Sequence, residues 1–377
     1  IDITVDGGVV SGANAIEFDG GFINSLTNYG TVESESGYAV KASNSNTSIV
    51  NYGLIKGNML LSAWDNEVLN ATDAEFDMGT EVNLGAWNIL TNDGLIKIGT
   101  NNEIANTALT GSLENNPDGV LAYDINMALE DADQITITDG EALLDGGVAL
   151  HFAALSNTLP QSYTLVSAED GVTLLGIETL NPFVLSTITN PDDQSAVLNI
   201  TAFDFAPEGI IGNGRQVGLH LTDAFPRVGT DLSELTAALA SLTSIEDGQA
   251  ALDQLSPEVE LDRKLADLRF AQGFSDGLMS CPSAAEGHTW TTETSCGWVR
   301  VQSLSFSGDT ENALSAFSAD GSRIAAGEQF AIGSDLWLGL AAGVSSTDLA
   351  TDAGATSNGQ SFDAGAVLKY NSGPLLL

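Results

Sequence analysis

Positive charge is what this sequence has least of. Lys and Arg number 11 among 377 residues, against 51 Asp and Glu, for a formal net charge of −40. A nucleic-acid partner is excluded on that ground, because phosphates call for a basic surface. The same imbalance suits a secreted or surface protein kept soluble by self-repulsion. No run of about 18 apolar residues occurs, so no transmembrane helix is expected, and only a β-barrel could carry the chain into a membrane. Cysteine is confined to Cys281 and Cys296. Their spacing excludes a CxxC metal or redox site, leaving two free thiols or a local disulfide. The disulfide is favoured in a chain otherwise free of Cys and bound for an oxidising compartment. Closing such a loop contributes about 3 kcal/mol in the chain-entropy model. A signal peptide is also missing: there is no initiator Met, basic n-region or apolar h-region. The text opens strand-like at Ile1–Val5 and stops in Leu375–Leu377, so both ends are expected to be cut from a longer protein.

Chemistry is as scarce as positive charge. No HExxH, EF-hand, Walker or dinucleotide motif occurs. His151, His220 and His288 are far apart and read as surface or packing residues. Asp131/Asp133 and Asn116/Asp118 could hold Ca²⁺ weakly, but solvated loops are the better reading. Gly273-Phe274-Ser275-Asp276-Gly277 matches the G-x-S-x-G elbow in letters, yet a helical pattern precedes it where the motif needs a strand. No catalytic, cofactor-binding or metal residue is assigned, and the chain is expected not to be an enzyme.

What is abundant is Gly (40 residues), with recurring Asn, Ser and Thr. These build a repeat. Leu26-Thr27-Asn28-Tyr29-Gly30 returns as Ile49-Val50-Asn51-Tyr52-Gly53 and as Leu90-Thr91-Asn92-Asp93-Gly94, with a weaker copy at Val68-Leu69-Asn70. The Asn positions 28, 51, 70 and 92 are 23, 19 and 22 residues apart. A period near twenty marks a solenoid whose coils cannot bury their apolar face alone. Each copy reads as strand, tight turn, strand, with Asn bonding its own backbone and Gly taking positive φ. Stacked coils then place Asn28, Asn51 and Asn92, with Gly30, Gly53 and Gly94, in a turn ladder. The L-x-x-L-x-L skeleton of a leucine-rich repeat is absent, so a β-helix is expected over 1–120. From 121 to 206 the repeat fades while strand signals persist at 134–138, 147–152, 162–166 and 196–201, a terminal unit placed to stop edge growth.

After Pro207 the period becomes helical. Asp231 and Glu234 suggest a capping box ahead of Leu232, Leu235, Leu239 and Leu242 on one face. Ser256-Pro257-Glu258 opens a second helix with a Leu261, Leu265, Leu268 stripe and a basic cluster of Arg263, Lys264 and Arg269. On charge alone that cluster is a solvated helix face. From 281 onward, alternating strands follow over 298–306, 322–332, 336–345 and 360–370, of transmembrane-barrel length.

The order of these parts resembles the autotransporter (type V secretion) family. The Asn-x-Gly coils look like a pertactin-like passenger, and Leu159 to Val166 is similar to its autochaperone-like C-terminal cap. Gly212-Asn213-Gly214-Arg215-Gln216-Val217-Gly218 and Leu252-Asp253-Gln254-Leu255-Ser256-Pro257-Glu258 resemble the family's linker text. Trp298–Arg300 and Trp337-Leu338-Gly339-Leu340-Ala341-Ala342-Gly343 resemble its first barrel strands. The resemblance implies a mainly β chain: a right-handed parallel β-helix with a C-terminal cap, a helical linker over 207–280, and about four strands of a twelve-strand outer-membrane barrel over 281–377. It implies a pore helix over 258–280 whose basic cluster complements acidic groups on the barrel wall. It also implies partners in the outer membrane and the barrel-assembly machinery, no cofactor, and a passenger displayed at the bacterial surface. That passenger is expected to be adhesive, binding a host-cell, surface or glycan ligand. The alternatives are a polysaccharide-active enzyme on the same scaffold or a purely structural stalk.

Overall fold

A computed structural model describes residues 1–62, 64–99, 103–226, 232–256, 263–264, 267–268, 271–275, 278, 295–308, 316–351, 356–372 and 375–376. The chain divides into two compact units, residues 1–210 with 218–249, and residues 211–217 with 250–377.

The first unit is a β-solenoid. Eight strands, one from each successive coil from Asp2–Val5 to Val172–Leu174, stack in parallel as one sheet. The remaining strands of each coil join a second, larger sheet. Register explains why: period-2 alternation puts the same side chains inward in every coil, and stacking buries them as continuous rows. Leu26, Ile49, Val68, Leu90 and Leu113 form one row. Val32, Ile55, Phe76, Ile96, Leu121 and Val148 form a second. Val40, Met59, Val82, Leu109 and Ile137 form a third. All sixteen are at most 3% exposed, so the three rows are the core.

Coils continue in parallel past residue 120, up to the pairing of Gly147–Ala154 with Glu178–Thr179. Growth stops where Gln161–Ala168, Ser195–Phe203 and Val184–Thr189 pair antiparallel. An antiparallel end strand directs the ladder away from the next coil position, which is how an open solenoid edge is closed. The end is sealed by Phe152, Phe203, Phe205 and Phe225, whose rings sit 5.2 to 6.3 Å apart in a contiguous cluster. Helix α1 is Gly212–Ala224, α2 is Ser233–Ala240 and α3 is Ile245–Gln254. Asn181 donates to the Ala240 carbonyl at 2.9 Å, and Ser241 Oγ accepts the Phe152 N–H at 2.8 Å, fixing the end of α2 against the cap.

One helix expectation is corrected. Asp231 lies outside the described residues, and α2 starts after Leu232 with no side-chain cap bond. The box sits instead at α3, where Ser244 Oγ accepts the Asp247 N–H at 3.0 Å and donates to the Asp247 carboxylate at 2.7 Å. A helix at Ile245 was not expected from sequence; Pro257 and Glu258 of the second expected start lie outside the described residues.

In the second unit four long strands, Cys296–Gly308, Phe317–Ala331, Leu336–Thr351 and Thr356–Ser372, pair antiparallel in sequence order. A short Leu375–Leu376 strand follows. Their burial alternates in the opposite sense to the solenoid. Arg323, Gln329, Ser345, Thr347 and Lys369 are buried, while Val301, Ile324, Val344 and Phe362 are 72%, 56%, 48% and 81% exposed.

Candidate functional site

The Asn ladder forms. Asn28 Nδ2 donates to Asn51 Oδ1 at 2.8 Å, Asn51 to Asn70 at 2.8 Å, Asn70 to Asn92 at 2.8 Å and Asn92 to Asn115 at 2.6 Å. Asn115 was not identified from sequence, because no Gly stands two residues after it. In the next coil Leu144 occupies the register position, so Asn115 donates to the Asp145 carbonyl and the amide ladder ends. Each turn is also closed locally: the N–H of Gly30, Gly53 and Gly94 donates to the Oδ1 of Asn28, Asn51 and Asn92 at 3.1, 3.2 and 3.2 Å.

The glycines are there for a different reason than expected. None of Gly30, Gly53 and Gly94 has positive φ. A Cβ on Gly30 would stand 2.6 Å from the Gly8 carbonyl oxygen; on Gly53 it would strike Gly30 O, and on Gly94 Ala71 O. The Asn bond makes the turn, and Gly clears space for the neighbouring coil. A second polar row, four residues upstream in each coil, joins Asn24, Thr47, Asn66 and Asn88. There Asn66 Oδ1 accepts the Thr47 N–H at 2.8 Å, and Asn88 Oδ1 accepts the Asn66 N–H at 2.9 Å. Aligning the repeats at their ladder Asn would have exposed it.

On the larger sheet of the solenoid a cavity of about 390 Å³ is lined by Lys56, Asp77, Lys97, Asp124, Asp133 and His151, with Tyr123. Lys56, Asp77 and Lys97 are in register across adjacent coils. Burial pushes Asp77 up to about 6, helped by its bond to Glu75. Glu75 is held low despite burial by hydrogen bonds from Lys97, 2.5 Å away, and Asp77. Asp133, read from sequence as a solvated loop residue, is wholly buried. Its carboxylate accepts the N–H of Ala105 and of Asp124, each at 2.6 Å, and burial pushes it up to about 7. His151, expected to be unremarkable, bonds Asp124 at 2.7 Å, which raises its pKa. The Tyr123 hydroxyl is buried with no hydrogen-bond partner, and burial raises its pKa. Among the described residues no group of three or more His, Cys, Asp or Glu is placed to hold a metal ion.

A larger groove, about 650 Å³, runs over the outer face of the eight-stranded sheet beside Trp87. Sequence reasoning missed it, because its walls come from coils whose outward residues carry no motif. Trp87 stands in a turn at φ 64°, with its N–H bonded to the Asp139 carbonyl at 2.9 Å, and is 65% exposed.

The sheet of the second unit carries its polar groups on the buried face. Arg323 Nη2 donates to Asp363 at 3.1 Å, and Lys369 Nζ donates to Gln329 at 2.7 Å. Helical residues of the same unit lie against this face. The Arg323 guanidinium sits 5.7 Å from the Phe274 ring centre, and Arg263 lies 3.6 Å from where a Cβ on Gly359 would stand. Lys264 is exposed, and Arg269 lies outside the described residues. The expected Leu261, Leu265, Leu268 stripe is corrected in part: Leu268 is 68% exposed, and the apolar contact runs through Phe274 and Leu278, which face Gly365. Leu261 and Leu265 lie outside the described residues. Ser275 of the elbow-like text is helical and bonds the Ala271 carbonyl at 3.1 Å. Cys296 is disulfide-bonded; Cys281 and His288 lie outside the described residues. His220 is an exposed residue of α1.

The outward face has a sharp boundary. Val301, Ile324, Val344 and Phe362 occupy one register row across all four strands. The next outward row is Ser303, Ser322, Ser346 and Gln360, with the Ser322 and Ser346 hydroxyls 3.1 Å apart. On the apolar side of that boundary stand Val299, Ala326, Ala342 and Ala364, then Leu340 and Ala366, then Leu338 and Leu368. Glu328 is the one charged residue among these outward positions. The Leu336–Tyr370 pair closes the band at its far end.

Compared with known proteins, the chain matches no protein-family model and no curated sequence.

Proposed function

We propose that this chain is a surface-display protein of the autotransporter type, in which the solenoid is the exported passenger and the four long strands belong to an outer-membrane barrel. The observation that carries this reading is the reversed sheet. A sheet with Arg323 and Lys369 buried and Val301, Ile324, Val344 and Phe362 bare is unfavourable in water on both faces. It becomes favourable when lipid meets the apolar face and the polar face encloses a helix, which is the barrel solution for a membrane. The band from Val344 to Leu336 covers nine residues of strand, and a tilted transmembrane strand takes about 9–11. Among the described residues no helix could cross a membrane, which leaves the strands to do so.

The passenger serves as a rigid binding surface, the use to which extended solenoid faces are suited. In bacterial cells making the protein, protease added outside intact cells removes the solenoid while the C-terminal strands stay with the outer-membrane fraction. Recovery of the whole chain in a soluble fraction, or a solenoid shielded from external protease, overturns the proposal.

A second reading, a polysaccharide-active enzyme on the same scaffold, draws on the Asp77/Asp124/Asp133 cavity, where carboxyls pushed to about 6 and about 7 share a lining with Asp124. Against it, Asp133 is committed to two backbone N–H groups and Asp77 to Glu75. Polysaccharide turnover lost on Asp77→Asn or Asp124→Asn, with unchanged folding, would establish it.

A further inference from the structure

The groove beside Trp87 has an unusual chemical bias. Ser48 is exposed on its floor, while the amide oxygens of Asn24 and Asn46 lie beneath, closed off from solvent. Its walls add the carboxylates of Asp65 and Glu67, and its lining contains no Lys, Arg or His. Every charged group present therefore accepts hydrogen bonds. Between them runs an apolar strip at Val50 and Leu69, and the exposed Trp87 indole stands at one end.

A ligand for this groove must bring donors, must carry no negative charge, and must offer an apolar face to lie on an indole. We infer that the groove binds a neutral glycan, whose hydroxyls supply the donors and whose C–H ring face covers Trp87. Acidic and sulfated glycans are excluded by Asp65 and Glu67, since like charge at close range opposes binding. A binding site of this composition, mostly apolar with a few placed polar groups and one aromatic platform, is what small-ligand recognition requires. The inference deepens the display-and-binding reading and rests on it for its biological setting, while the groove belongs to the solenoid alone.

The test is retention of the purified chain on immobilised neutral hexose oligosaccharides, tetra- to hexasaccharides of several linkages. Sulfated and uronate oligosaccharides and a lysine-rich peptide are run in parallel. Retention on a neutral glycan is expected, with affinity falling about tenfold or more in Trp87→Ala, the loss typical of an anchoring aromatic. Tyr29→Ala, outside the groove lining, should leave it unchanged. Should Trp87→Ala fail to fold, Ser48→Trp fills the groove from an exposed outward position and is expected to abolish retention. Binding confined to the acidic glycans or to the peptide, no binding to any neutral probe, or full binding by both groove variants overturns the inference. Failure here leaves the protease result on intact cells untouched, and failure of display leaves retention by the purified chain untouched.

Discussion

The solenoid and the C-terminal sheet are written in the same period-2 alphabet with opposite senses. In the solenoid, Leu26, Ile49, Val68, Leu90 and Leu113 point inward and vanish from solvent, while Thr27, Val50, Leu69 and Thr91 point out. In the sheet, Arg323, Gln329 and Lys369 point inward and Val301, Ile324, Val344 and Phe362 point out. Alternation alone therefore fixes which residues share a face and leaves open which face is wet. That second decision is made by what the faces meet: another apolar row in the solenoid, and the helical residues Arg263 and Phe274 in the sheet. The polar groups follow the same division. Solenoid amides pair with their own kind along the stacking axis, whereas the sheet's buried charges pair across strands, Arg323 with Asp363.

The comparison breaks most readily at the middle of the amide ladder. Asn70→Asp removes the Nδ2 that serves Asn92 and the Leu95 carbonyl, and sets a carboxylate against those acceptors in a site 1% exposed. An uncompensated buried charge costs about 3–5 kcal/mol, so the solenoid should lose most of its thermal stability above the carboxyl pKa, read by circular dichroism. A ladder variant melting within a few degrees of the parent would show that the rows of Leu, Ile and Val hold the coils without it. The reverse probe is on the outward face of the sheet. Leu340→Arg, midway along the apolar band, should cost about 2–4 kcal/mol of membrane insertion, while Ser346→Arg, across the polar boundary, should cost about 0–1. Equal effects on flotation with lipid vesicles would deny the boundary its meaning.

How much of this was legible follows from what each element needs. The solenoid was readable because coil stacking demands the same residue at the same place, and Asn28, Asn51, Asn70 and Asn92 answer that demand in print. Asn115 escaped because its turn lacks the Gly, although it stands 23 residues after Asn92, on the repeat's own period. The role of Gly53 was misread because a single repeat shows a turn, while the clash with Gly30 exists only between coils. Sites suffered most. Asp77 comes from a different coil than Asp124 and Asp133, and the groove by Trp87 gathers Asn24, Asn46 and Glu67 from three successive coils. Such juxtapositions depend on register, which propensity does not carry.

A smaller test exploits Asp133, a buried carboxyl of the solenoid whose bonds go to backbone N–H groups. Asp133 is raised to about 7 by burial, from an unfolded value of 3.8, so the folded state binds its proton more tightly. Its contribution is fully present below the unfolded value and is lost as pH rises through about 7. Asp77, raised to about 6, acts in the same direction. Unfolding free energy should therefore fall with pH across this window by up to about 1.4 kcal/mol per pH unit for each proton involved. Asp133→Asn should flatten the slope in urea titrations at successive pH values; an unchanged slope would remove Asp133 as its source.

The least effect belongs to a feature found only on the outside of the solenoid. Tyr29 and Tyr52 follow consecutive ladder Asn residues and stack with ring centres 5.0 Å apart and planes 6° from parallel, though each is about half exposed. Because both rings already face water, the area they bury is small, and the pair is worth about 0.5–1.5 kcal/mol at most. The double cycle of Tyr29→Ala, Tyr52→Ala and both together should show coupling inside that range and leave the ladder's contribution intact. Coupling near zero would mean that the stack is imposed by the Asn–Gly turns beneath it. In that case outward residues of the solenoid are held in place by the turns alone, as Val344 and Phe362 of the C-terminal sheet are held exposed by strand register.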